Sequence, residues 1–114
     1  MNSRNKLYQG TLDLLIFRSV ANEPLHGWGI AQWLELHSGG HFSVPQGSLY
    51  PALHRLEKQG LLRSKWMKSP EGRKAKFYAL TRRGTSALRD SEDRWKKYAD
   101  AVGRIIRAGN LETP

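Results

Sequence analysis

The chain has no cysteine among its 114 residues. That absence excludes disulfides and thiolate-held metals and is compatible with a reducing cytoplasm, the expected location. No run approaches the roughly 18 apolar residues of a membrane span, so no membrane association is expected. Met1-Asn2-Ser3-Arg4-Asn5-Lys6 leads into a segment broken by Gly10, Asp13 and Arg18, unlike the apolar region of a signal peptide. No glycine loop of the phosphate-cradling type occurs, and Ser48 lacks the neighbours of a nucleophile, so an enzyme is not expected. His37 and His41 are four apart, but Gly39-Gly40 breaks any helix between them. No metal or cofactor is expected. Acidic residues are also scarce, with ten Asp and Glu against nineteen Lys and Arg.

What is present is a localised positive charge. The formal net charge is +9. Residues 1–54 hold three Lys/Arg and three Asp/Glu, whereas residues 55–83 hold ten Lys/Arg against Glu57 and Glu71 alone. About a quarter of the chain therefore carries nearly the whole excess, the footprint of a polyanion partner. The hydrophobic fraction of 39% and the four tryptophans argue against disorder, and the length suits one domain.

The basic excess begins inside the most informative stretch, Gln46 to Gly60. Leu49, Leu53 and Leu56 recur at i, i+4 and i+7 with Ala52 beside them, one apolar stripe of an amphipathic helix. Gly47, Pro51, His54 and Lys58 fall on the opposite face, with Tyr50 and Arg55 on its borders. Proline is tolerated in a first helical turn, so this helix is expected to begin near Gly47 or Ser48, with Ser48 as its N-cap. Gly60 is expected to close it.

Earlier in the chain, Leu7 to Val20 is helical in pattern, with apolar residues over more than half its circumference. A second helix is expected over 26–37, with Ile30 and Leu34 inward. Gly27 and Gly29 weaken that helix and permit close approach of a neighbour. Phe42 and Val44 anchor the connector. After Gly60 the period changes to two: Leu62, Ser64 and Trp66 alternate with Arg63, Lys65 and Met67. Ser69-Pro70-Glu71-Gly72 suits a type I turn, and Lys74 to Leu80 forms a second extended run. A hairpin alone is marginal, so this one must pack on the helices through Leu62, Trp66, Tyr78 or Leu80. Thr81 is the expected N-cap of a last helix. There Leu88, Trp95 and Val102 share one heptad position and Ser91, Tyr98 and Ile105 the other. A lone helix cannot bury such a seam, so pairing with a second copy is expected.

The resulting fold class is mainly α with a small β-hairpin, a winged helix-turn-helix followed by a dimerisation helix. In domain terms, residues 1–81 form the winged unit, 82–109 the dimerisation helix and 110–114 a flexible tail. In such folds the second motif helix enters the major groove of double-stranded DNA and the wing reaches the backbone. The candidate DNA-binding residues are Gln46, Ser48, Tyr50, His54, Arg55, Lys58, Arg73 and Lys74. Tyr50, on the border between faces, is open to both core packing and DNA contact. Leu14, Phe17, Leu88, Trp95, Tyr98, Val102 and Ile105 are the candidate homodimer interface. Trp33, Trp95 and Tyr98 are candidates for a pocket taking a small aromatic effector, or are ordinary core and interface residues.

Several blocks also resemble a known family. They are Leu25-His26-Gly27-Trp28-Gly29-Ile30, Gly47-Ser48-Leu49-Tyr50-Pro51-Ala52-Leu53-His54-Arg55-Leu56-Glu57, Gly60-Leu61-Leu62, Glu71-Gly72-Arg73 and Tyr78-Ala79-Leu80-Thr81, with Gly84. In combination they are similar to the PadR-like transcriptional regulators. Trp28 stands where that family more often has tyrosine. The short C-terminal segment resembles the subfamily with a single dimerisation helix. The resemblance implies a cytoplasmic homodimer on a two-fold operator, usually a repressor, relieved in some members by phenolic or other aromatic ligands. It also implies that Ser48, Tyr50 and Arg55 face the groove or phosphates, with Arg73 and Lys74 on the backbone. A non-sequence-specific nucleic-acid-binding or architectural protein using the basic wing is the alternative, and an adaptor that has lost DNA binding is a third reading.

Overall fold

Each change of hydrophobic period marks a change of element. The computed structural model describes residues 9–109. The order is α1 (Gln9–Ser19), β1 (Leu25–His26), α2 (Gly27–His37), α3 (Gln46–Lys58), β2 (Leu62–Lys68), β3 (Lys74–Leu80) and α4 (Arg82–Ala108). It is a mainly helical fold with a small antiparallel sheet, as the sequence pattern indicates. The expected start of the first helix at Leu7 and the tail at 110–114 lie outside the described residues.

The core forms where the apolar stripes of α1, α2 and α3 converge under one face of the sheet. Ile16, Ile30, Leu49, Leu53, Leu56 and Leu62 have essentially no exposed surface. Phe17, Val20, Leu34, Val44 and Leu88 belong to the same cluster. The sheet has the order β1-β3-β2, antiparallel throughout. Two-residue β1 was not anticipated: Leu25 and His26 pair with Tyr78 and Phe77, which ties the start of α2 to the wing. In β2 and β3, Leu62 faces Leu80, Ser64 faces Tyr78 and Trp66 faces Lys76. Residues two apart share a face, so Leu62 and Tyr78 point into the core. Trp66 does not pack there as expected. It stays outside the core cluster, with 61% of its surface exposed.

The ends of α3 differ in how well local chemistry foretold them. The helix starts one to two residues early, at Gln46, with Pro45 as N-cap and no side-chain capping bond. Ser48 is therefore inside the helix, not its cap. Pro51 is the sixth helical residue rather than a first-turn one. Its missing N–H leaves the Gly47 carbonyl without its usual i+4 donor. Gly47 is exposed, so water can serve that carbonyl. At the other end Gly60 takes φ +78°, a left-handed conformation that suits glycine at this position. The Leu61 amide then bonds back to Leu56 O at 3.0 Å.

The wing turn closes through Gly72 N donating to Ser69 O at 2.8 Å, with Ser69 Oγ accepting from Arg73 N at 3.2 Å. Thr81 caps α4 as expected: its Oγ1 accepts from Gly84 N at 3.0 Å and donates to Gly60 O at 2.7 Å. One side chain thus fastens the start of α4 to the end of α3. Gly84 makes a close approach possible there, since a Cβ would collide with the Leu61 carbonyl. The 27 residues of α4 project well past the winged unit, and the molecule is 63 Å long but only 30 × 23 Å across. Among the described residues no helix is long and apolar enough to cross a membrane.

Truncating Leu53 to Ala should cost about 2–5 kcal/mol, because the site is enclosed on every side and cannot collapse cheaply. Urea denaturation followed by circular dichroism would read it as a lower midpoint with an unchanged slope.

Candidate nucleic-acid interface

An α-helix turns about 100° per residue, so burying Leu49, Ala52, Leu53 and Leu56 fixes the direction of every other side chain on α3. His54, Lys58, Pro51 and Gly47 are turned outward and all are exposed. Glu57 and Tyr50 lie on the flank toward the sheet and α2. Arg55 and Ser48 lie on the flank toward α1. The outward side forms an open concavity of about 690 Å³ lined by Tyr50, Pro51, His54, Arg55, Lys58 and Gln59.

On the sheet flank Glu57 accepts from Ser64 Oγ at 2.6 Å and pairs with Lys76 Nζ at 3.2 Å. These contacts lock α3 to both wing strands. The Ser64 hydrogen bond, followed by Lys76, holds the Glu57 carboxyl below its ordinary range against the opposing effect of burial. Lys76 also stands 5.8 Å from the centroid of the Tyr78 ring, and burial pushes the Tyr78 phenol upward. Tyr50 is covered on one side and open on the other. Its ring lies so close to Gly27 that any side chain there would overlap it, yet 43% of the residue remains exposed. The glycine at the start of α2 accommodates a side chain of α3.

On the other flank the outcome differs from expectation. Arg55 does not stand free. Its Nη2 and Nη1 bond to Asp13 Oδ1 and Oδ2 at 2.7 and 3.1 Å, a two-pronged ion pair to α1. The side chain is one-third exposed. Hydrogen bonding to Asp13 raises the guanidinium pKa, against desolvation, and the carboxylate's charge adds to the rise. Sequence periodicity cannot see this partner, 42 residues away. Gln46 and Ser48 are exposed at the start of α3, and Arg73 and Lys74 are exposed at the wing tip. The resulting surface runs from Gln46 and Ser48 through His54 and Lys58 to the wing.

The residues assigned to self-association separate into two groups. Leu14, Phe17 and Leu88 are buried within the subunit's own core, so they have little surface left for a partner. Trp95, Tyr98, Val102 and Ile105 are exposed on α4, with Ile106 beside them. Trp95 and Tyr98 lie 5.8 Å apart. Trp33, packed against the core, stacks instead on His37 of its own helix at 4.1 Å. It lines neither the concavity on α3 nor a 250 Å³ cleft between α1 and α4.

Three helices, a hairpin wing and an outward face on the third helix with a cationic rim define a winged helix-turn-helix DNA-binding protein. Residues 16–90 match the transcriptional regulator PadR-like family, and the chain belongs to it. A transcriptional regulator of Mycobacterium tuberculosis is 35% identical over 100 residues, covering 88% of this chain and 86% of that protein. A PadR family transcriptional regulator from Eggerthella lenta is 33% identical, with a TM-score of 0.73 over 86% of this chain and 83% of its own. A Streptococcus mutans protein is 26% identical with a TM-score of 0.80, covering 93% and 95%. The chain is accordingly a DNA-binding transcriptional regulator rather than a catalyst.

Because the Glu57 carboxyl is held low in the folded state, its contribution to stability is complete above the unfolded value. It is lost as pH falls through the folded one. The Glu57→Gln variant should therefore match the wild type more closely as pH drops below about 4. Thermal melts across pH 3–7 would check this, and a constant gap would contradict it.

Proposed function

We propose that the chain is a homodimeric repressor that recognises an inverted-repeat operator through α3, with the wing on the flanking backbone. The observation that carries this reading is the outward face of α3 beside a wing whose Arg73 and Lys74 are exposed, in a family of transcriptional regulators. Gln46, Ser48, Tyr50, His54 and Lys58 are the residues for the groove. Base discrimination would come from side chains reaching base edges, at about 1–3 kcal/mol per good pair. Arg73 and Lys74 would add affinity that does not depend on sequence and falls with salt. Arg55 enters this reading only in exchange for Asp13. Residues 1–81 act as the DNA-binding unit and α4 as the dimerisation unit. Such a regulator works where the chromosome is, in the cytoplasm.

Selection from random duplex DNA should enrich one inverted repeat, bound far more tightly than unrelated DNA at physiological salt. Arg73→Ala with Lys74→Ala should weaken binding to all sequences alike and reduce the slope of log K against log salt by up to about two. Absence of enrichment would favour the non-specific alternative.

The exposed row Trp95, Tyr98, Val102 and Ile105 supports dimerisation, since its spacing is that of a two-helix seam. In a dimer the aromatic pair Trp95 and Tyr98 would also be the place where a planar effector stacks; relief of repression by an aromatic ligand belongs to the same reading. Trp95→Asp should shift the protein to monomers in sedimentation analysis and lower operator affinity steeply while the melting of the winged unit changes little.

A further inference from the structure

The wing carries one feature that neither the core nor the ion pairs explain. Trp66 is 61% exposed near the distal end of β2. Its cross-strand neighbour is Lys76, and one pleat nearer the tip Lys68 faces Lys74. Residues two apart share a face, so the indole and these three lysines project from the side of the sheet that, nearer its root, packs on α3 through Leu62 and Tyr78. Lys76 is held by Glu57, which leaves Trp66 bracketed by α3 on one side and by the exposed Lys68 and Lys74 on the other.

We propose that Trp66 is a DNA-contacting residue that lays its indole against the sugar wall and base edges of the minor groove flanking the half-site read by α3. The inference rests on the reading of the chain as a DNA-binding regulator. Its support is the placement of a broad, exposed apolar ring between the helix whose outward face meets DNA and two exposed lysines at the wing tip. Lys68 and Lys74 suit a phosphate strand and disfavour an apolar protein partner, while the ring itself fits the sugars and the floor beside that strand. Aromatic and other apolar side chains used this way contact the minor groove without adding charge. The Ser64 and Lys76 contacts to Glu57 fix the wing against α3, so a helix seated in the major groove brings this face to the neighbouring minor groove. The lysines supply salt-sensitive affinity and Trp66 a salt-insensitive part.

The test uses the full chain, the duplex most enriched from random DNA, and the variants W66A and W66F. The exposure of Trp66 predicts that both fold, which circular dichroism checks. W66A should bind about tenfold more weakly, the scale of one aromatic contact, with an unchanged salt slope. DNA should alter the tryptophan fluorescence of the wild type, and W66F should lose most of that change. Trimming the duplex to the half-sites should abolish the difference between wild type and W66A. Equal affinity, a fluorescence change that persists in W66F, a reduced salt slope, or a difference that survives trimming would each overturn the assignment. Failure of the wild type to bind any duplex would overturn the DNA-binding reading and this inference with it.

Discussion

Everything on the outer surface of this protein depends on the burial of one stripe of α3. Leu49, Leu53 and Leu56 have almost no exposed area, and each buried leucine is worth about 1.5–3 kcal/mol. A partly exposed ion pair contributes about 0–1 kcal/mol. The stripe therefore sets the rotation of the helix, and Asp13–Arg55 and Glu57–Lys76 refine its seating. Rotation by even one residue would take Leu53 out of the core and turn His54 inward. The outward face is as well defined as the core because both are consequences of the same fit.

The two flanks of α3 use charge in opposite ways. Toward the sheet, the helix supplies the anion, Glu57, and the wing supplies the cation. Toward α1, the helix supplies the cation, Arg55, and α1 supplies Asp13. Both arrangements remove one positive charge from the interface and spend it on rigidity. Lys58 on the outward face of α3 and Lys68, Arg73 and Lys74 on the wing are left exposed, as are Arg63 and Lys65 on the opposite face of β2. The Glu57–Lys76 pair ties helix to wing and the Asp13–Arg55 pair ties helix to α1, which matters when helix and wing must meet different parts of one duplex. Helix α1 is also the common support of α3 and α4: Leu14 and Phe17 belong to the same core as Leu88, and Arg18 lies 3.9 Å from Glu92.

Local signals in the sequence marked the elements well. Period-3.6 leucines located α3, alternation located the wing, and Gly60 and Thr81 named their own roles because a left-handed residue and a side-chain cap need only neighbouring backbone. What could not be read locally was decided at a distance. β1 is two residues long, too short for any periodicity, and exists because β3 offers an edge. The start of α3 escaped because proline in an interior turn is rare. It is tolerated here with an exposed glycine four residues earlier. Arg55 had the right residue type and flank for DNA, but its partner lies in another helix. Tyr50 sits on the border between faces, and only the absence of a side chain at Gly27 reveals how much of its ring is covered.

Exposure of a large aromatic carries no fixed meaning, and this chain contains two cases that its neighbours distinguish. Trp95 belongs to a row in which Tyr98, Val102 and Ile105 repeat at three- and four-residue steps along one helix, so a second helix with the same row can cover all of them at once. Asp93–Lys97 and Asp100–Arg104 pairs lie along the same helix. Trp66 has no apolar row. Its cross-strand neighbour is Lys76 and its same-face neighbours toward the tip are Lys68 and Lys74, and only Lys76 among these three is neutralised by a described carboxylate. Covering Trp66 with another apolar protein surface would desolvate unpaired cations, at a cost that one indole cannot offset. A partner that brings its own regularly spaced negative charge and an apolar groove between the charges meets no such cost, and a DNA duplex is a polymer of that description.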